Sequence, residues 1–178
     1  MRLDHQKDTV MREEILAEKK RSPWGRRLAM IVSFLVVVPI GFLGGKSVMS
    51  SRPDNLGAVG GQPRGCPDSP NCVSTSATDD EHSIAPLTFE GSAADAMVRL
   101  KSAIESLPRT VVVTANESYL HAEFTTLFFR YVDDVECQID EDNGQIQIRS
   151  ASRTGYSDMG ANRTRVEEIR AAFASSAP

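Results

Sequence analysis

The chain has 178 residues, 40% of them hydrophobic and 25% charged, with a formal net charge of −4. That length holds one membrane segment plus one small domain and excludes two sizeable cores. Before Leu28 eight Lys/Arg stand against five Asp/Glu, whereas from Lys46 onward twelve stand against nineteen, so the larger part lacks the cationic surface that a nucleic-acid binder needs and no nucleic-acid partner is expected.

Residues 1–27 are polar and end in Lys19, Lys20, Arg21, Arg26 and Arg27, with Trp24 close to where apolar sequence begins. They read as a cytoplasmic tail with an interfacial anchor. No charged residue occurs from Leu28 to Gly45, and a helix of that length spans about 27 Å, close to the hydrocarbon thickness of a bilayer. The expectation is an uncleaved transmembrane signal-anchor over 28–48. Basic residues are denser before the run than after it, which predicts a single-pass inner (cell) membrane protein with a cytoplasmic N-terminus and an extracytoplasmic, periplasmic C-terminal part. A cleaved signal peptide, with Val48 and Ser50 as the small residues before the cut, competes with this reading, but the stretch before the apolar run is long for one. Two motifs here carry little. Gly45-Lys46-Ser47 resembles the tail of a phosphate-binding loop, yet Ile40 stands where that loop needs glycine. Gly41 and Gly45 form a GxxxG, which allows close helix approach.

Residues 49–65, rich in Gly, Ser, Pro and Asn, read as a flexible tether to an extracytoplasmic domain over 66–178. Cys66 and Cys72 lie in Cys-Pro-Asp-Ser-Pro-Asn-Cys, near enough to form a disulfide around a turn in an oxidising compartment. Their five intervening residues fall outside the usual zinc spacing. Cys137, within a strand-like alternation, reads as a buried thiol. Val73 to Glu81 reads as polar and exposed, and Ile84 to Phe89 as a short edge strand interrupted by Pro86.

A helix is predicted over 92–107: Ser92 caps it, Ala96, Met97, Leu100, Ile104 and Leu107 share one face, and Pro108 ends it. Strands follow at Thr110–Ala115, Tyr119–Thr126, Asp133–Asp140 and Gln145–Ser150, the last two joined through the hairpin signal Asn143-Gly144. Leu127 to Tyr131 reads as an aromatic corner. A bend or bulge near Val132 is expected, because an unbroken strand would place Asp133 on the apolar face, where burial is costly unless the carboxylate is paired. A last helix over 162–174 is expected to bury Val166, Ile169 and Phe173. The fold class is α+β, an antiparallel sheet of four or five strands with two flanking helices, plus the N-terminal transmembrane helix.

The stretch from Arg149 to Arg165 concentrates the chemistry. Arg149, Ser150, Ser152, Arg153, Ser157, Asn162, Arg163 and Arg165 are the candidate ligand-binding residues, since guanidinium forks and a helix N-terminus both favour anions. A competing reading makes the stretch architecture, with Asp133, Asp134, Glu136 and Asp158 as acidic partners and Asp133 or Asp134 paired across the sheet with Arg149 or Arg153. No Gly-x-Ser-x-Gly elbow is present, although a triad can be assembled from Ser152, His121 and Asp133, and the sequence names no metal site or cofactor.

Four stretches taken together resemble a known family: Cys-Pro-Asp-Ser-Pro-Asn-Cys-Val-Ser, Tyr119-Leu-His-Ala-Glu-Phe, Asp133-Asp134-Val-Glu136, and the whole of Arg149 to Arg165. The chain is similar, over roughly Cys66 to Phe173, to the domain of unknown function 1499 (DUF1499), found in bacterial envelope and plastid proteins. The resemblance implies a shared domain and an envelope setting and brings no activity with it. The functional expectation is a non-catalytic binding or envelope-assembly module holding an anionic small molecule, a lipid head group or an envelope protein. A hydrolase-like enzyme using the same cluster with His121 or Asp133 is the alternative.

Overall fold

The computed structural model describes residues 11–12, 23–48 and 51–176, and the chain divides into two compact units, Met1–Leu43 and Gly44–Pro178. The basic run Lys19–Arg21 and Ser50, on which the tail and cleavage readings rest, lie outside the described residues. Helix α1 spans Pro23–Val48. Proline suits a first helical position because its missing N–H would find no partner there. Of this helix, side chains are described from Trp24 to Val36. Leu28, Met30, Ile31, Val32, Phe34, Leu35 and Val36 are exposed on all sides of it. Among the described residues no helix is long and apolar enough to cross a membrane.

The second unit is an α+β domain. Its strands are β1 (Cys72–Ser74), β2 (Leu87–Thr88), β3 (Thr110–Ala115), β4 (Tyr119–Thr125), β5 (Val132–Asp140) and β6 (Gln145–Ser152), with helices α2 (Ala93–Ser106) and α3 (Ala161–Ser175). They form a six-stranded sheet in the order β1-β6-β5-β4-β3, and the short β2 pairs with β6 as well. Every pairing is antiparallel. Helix α2 begins where Ser92 Oγ accepts from the Asp95 N–H at 3.1 Å, and ends at Leu107, whose N–H returns to the Ile104 carbonyl. The core is drawn entirely from Val73 to Phe173, joining Leu100, Ile104, Val166 and Ile169 of the helices to Leu120, Val135, Ile146 and Ile148 of the sheet. Each fully buried Leu or Ile stabilises by about 2 kcal/mol, and a unit with a complete core of its own folds without the helix that precedes it.

Three features correct the sequence reading. Val73 to Glu81 is exposed only from Thr78 to Glu81: Val73 is 4% exposed, Ser74 is fully buried and His82 just beyond is buried. The reason is pairing, since β1 closes the edge of β6, with Val73 opposite Ser150, and the Ser74 N–H donates to the His82 carbonyl. Nor does a bend remove Asp133 from the apolar face. β5 pairs with β4 without interruption from Val132 to Gln138, the bulge falls instead in β3 between Val112 and Thr114, and Asp133 is buried among the core-facing positions. Its carboxylate is accommodated by Arg165, at 2.7 Å. The sheet also has six strands rather than four or five.

Residues 51–65 make defined contacts with the face opposite the helices. Arg52 pairs with Glu123 at 2.7 Å, the Gly57 N–H donates to Glu136, and the Pro63 and Arg64 carbonyls accept from Ser76 and Ser74.

Candidate functional site

Side chains alternate across a strand, so the polar stretch from Arg149 onward is divided between the two faces of the sheet. Arg149 lies on the face away from the helices, opposite Glu136, and Ser150 and Ser152 point toward the helices. Arg153, just past the strand end, reaches Asp134 on the same face as Arg149. Asn162 and Arg165 meet Ser150 from α3. Arg163 turns outward and donates to the Ser83 and Glu81 carbonyls, while Ser157 accepts from the Met159 N–H in an exposed turn. The eight candidates therefore do not converge on one site.

On the face away from the helices Arg149 and Arg153 form ion pairs. Arg153 donates Nε and Nη2 to the two carboxylate oxygens of Asp134 and also reaches Glu123, so the expected cross-strand pairing is Asp134 with Arg153. His121 Nε2 lies 2.8 Å from Asp134 Oδ1. Burial opposes ionisation of Asp134, yet the bonds from Arg153 and His121 outweigh it and hold its pKa below the ordinary carboxylate value. Glu123 behaves alike: burial raises its pKa, and Arg153 and Arg52 bring it lower still. With Asp134 ionised, Nε2 of His121 carries the proton. Beside this group, Glu136 accepts from Tyr119 and from Arg149 at 3.2 Å. Burial first, then the Glu136 carboxylate, push the Tyr119 hydroxyl far above its usual pKa.

His121, Glu123 and Asp134 also place ligand atoms within 4.8 Å of one another, a donor set of the kind that holds divalent cations. The Arg153 guanidinium already bridges its two carboxylates, so the donors are arranged around an organic cation. The Ser152–His121–Asp133 triad does not form. Asp133 pairs with Phe124 in register, and His121, three residues from Phe124 along β4, projects from the opposite face.

The helix-side network is a closed polar hub. Asn162 donates to the Asn71 carbonyl and to Ser152, and accepts from Ser150 and Arg165, so its amide is fully satisfied while wholly buried. Arg165 adds the ion pair to Asp133 and lies over the Phe124 ring. The start of α3 is not open to an anion, because Asp158 already accepts from the Gly160 and Asn162 N–H groups. Asn71, which sequence reasoning left as a turn residue, anchors the hub to the Cys66–Cys72 disulfide. Its role follows from the pairing of β1 with β6, which sets Cys72 opposite Ala151.

A groove of about 650 Å³ remains at one end of the sheet, lined by Leu107, Arg109, Phe124, Leu127, Met159 and Arg165 among others. It has the size and apolar character of a small-molecule site. Among the described residues, the three non-glycine ones with left-handed backbone, Arg109, Arg130 and Met159, all lie at this end: Arg109 and Met159 in the groove wall, Arg130 in the β4–β5 connection beside Leu127. Such conformations cost of order 1 kcal/mol or more and cluster where function retains them. A second concavity, at the start of α2, is flanked by Glu117 and Glu141 and gathers none of these features.

Fold and site together define a disulfide-bonded α+β domain whose charged residues are turned inward on each other. The chain belongs to the family described as "Protein of unknown function (DUF1499)", whose profile matches residues 64–173. No curated protein matches it.

Proposed function

We propose that the protein is a membrane-tethered, non-catalytic binding module of the cell envelope, and that its ligand is an anionic amphiphile held in the groove between the α2–β3 connection, the end of β4 and α3. The observation that carries this reading is an asymmetry of partners. The arginines of the polar stretch spend their charge on Asp133, Asp134, Glu123, Glu136 and backbone carbonyls, and His121 Nε2 is turned to the Asp134 carboxylate. Arg109 at the groove, by contrast, spends only its Nε, on the Thr125 carbonyl at 3.1 Å. An alkyl chain laid along Leu107, Phe124, Leu127 and Met159 would bring an anionic head to that guanidinium. The tether rests on the sequence: an uncharged run from Leu28 to Gly45, with basic residues denser before it than after.

Thermal unfolding of residues 51–178 tests the ligand, with dodecyl phosphate below its micellar concentration in one arm and inorganic phosphate in the other. Dodecyl phosphate is expected to raise Tm by several degrees and Arg109→Ala to remove most of that rise. An equal response to inorganic phosphate would return the site to the arginine stretch and overturn this reading.

A further inference from the structure

We infer that the groove end of the domain rests on the bilayer surface, with the β4–β5 hairpin tip dipping into the interfacial lipid. This rests on the membrane-tether reading just given. Three observations within the domain carry it.

The first is composition. The hairpin connection carries Leu127, Phe128 and Phe129 in succession, all exposed, Phe128 by 86%. Tyr156 and Met159 of the neighbouring turn are exposed too, Met159 by 98%. A hairpin turn in water favours Gly, Asn and Asp, whereas Tyr is enriched at the membrane–water interface and Phe and Leu form the buried face of segments that lie in it.

The second is that these residues share one end. Thr125 and Val132, at the base of the tip, are register partners. The Thr125 N–H donates to the Arg109 carbonyl, and the Arg153 N–H to that of Val132, so the turn bearing Tyr156 and Met159 leaves the sheet where the hairpin does.

The third says what covers the patch. Arg52 is bonded to Glu123 through both Nε and Nη2, and Glu123 lies two residues before the end of β4. The chain arriving from the apolar run is therefore fastened at the tip end of the sheet. From Gly45 to Arg52 it extends at most about 25 Å. A bilayer holding Leu28–Gly45 thus lies within reach of this end whatever path the intervening residues take, and Arg109 supplies positive charge beside anionic lipid.

The test uses the full chain, whose single tryptophan, Trp24, is replaced by phenylalanine. Phe128→Trp, or Val98→Trp on the exposed face of α2 as the comparison, is then the sole indole. Each protein is reconstituted into vesicles of phosphatidylethanolamine and phosphatidylglycerol with brominated acyl chains. Phe128→Trp is expected to lose fluorescence to the brominated lipid and be shielded from acrylamide, while Val98→Trp is unquenched by lipid and open to acrylamide. A chain that stays with the vesicles through alkaline carbonate but shows both positions open to acrylamide, or both quenched by lipid, overturns the inference alone. A chain that carbonate releases overturns the tether and the inference with it.

Discussion

The middle of the sheet and its groove end put opposite kinds of residue in the wrong-looking place. In the middle, charged side chains are buried: Asp133, Asp134 and Glu136 are each at most 2% exposed. At the end, aromatic and aliphatic side chains stand in water, Phe128 and Met159 nearly bare. The first arrangement is explained from within, because each buried carboxylate has an arginine on it, and burial of a charge is tolerable when it is paired and hydrogen-bonded. The second has no internal explanation and so points outward. Density of arginine therefore says little about a site, and what matters is which groups still lack a partner.

Removing one member of a buried pair breaks this contrast most directly. Arg165→Ala strands the Asp133 carboxylate and withdraws two bonds from the Asn162 hub, which should cost roughly 3–5 kcal/mol. Arg153→Ala, which leaves Asp134 and Glu123 facing each other, should fall in the same range. Phe128→Ala should stay within about 0.5 kcal/mol, as exposed positions do. Urea unfolding of the three variants in the 51–178 domain measures all of this. A near-neutral Arg165→Ala would show that the arginines are held ready for an external anion instead. Restoring stability with Asp133→Leu joined to Arg165→Met would confirm that the single variant suffers from a stranded charge.

A smaller loss is expected at the β1 edge, where the disulfide meets the Asn162 hub. The Cys66–Cys72 disulfide closes a short loop, and Asn71 within it donates its side-chain amide to the Gly155 carbonyl while its own carbonyl accepts from Asn162 and the Ser152 N–H. The double replacement Cys66→Ser/Cys72→Ser should cost about 2 kcal/mol, near the low end for disulfides because the loop is short. Amide exchange should rise first at Val73 and Ser74, leaving β4 and β5 protected. Uniform loss of protection would mean the disulfide supports the whole domain.

Much of this was legible beforehand. Ser92, the apolar face from Ala96 to Ile104, and Asn143-Gly144 gave α2 and the β5–β6 hairpin within a residue or two, because local rules decide those features. Two things were not legible. β1 has three residues, Cys72, Val73 and Ser74, too short for a period to show, and it exists because β6 offers an edge. The acid that each candidate arginine meets depends on register, which fixes partners only once β5 and β6 are aligned as Glu136 with Arg149 and Asp133 with Ser152. The Leu127–Phe129 run was visible as an aromatic corner, but its exposure depends on a turn that ends β4 at Thr125.

The smallest effect is a pH dependence at His82, and it separates the charged interior from a further polar latch at the β1 edge. Nδ1 of this buried ring lies 2.7 Å from Asp79 Oδ1, and Nε2 lies 3.3 Å from the Ser69 carbonyl. Both nitrogens face acceptors, so only the imidazolium satisfies both. The Asp79 hydrogen bond raises the pKa of His82, burial opposes that, and the Ser69 carbonyl and Glu81 add to the rise. A folded pKa above the unfolded one means that this contribution is complete below about pH 6.5 and is lost as pH rises through the folded value. Asp134 and Glu123 have the reverse sign. Their lowered pKa values give stability that is present above about pH 4 and lost as pH falls further. Tm should therefore hold a plateau in the mildly acidic range, fall steeply on the acid side and fall gently on the alkaline side. His82→Gln should remove the gentle alkaline decline and leave the Asp134 and Glu123 part of the acid limb in place, while Asp79 loses the part of its lowered pKa that the His82 ring supplies, measured as Tm across the range in a low-salt buffer series. A gap between wild type and variant that stays constant at every pH would assign His82 a packing role with no titration behind it.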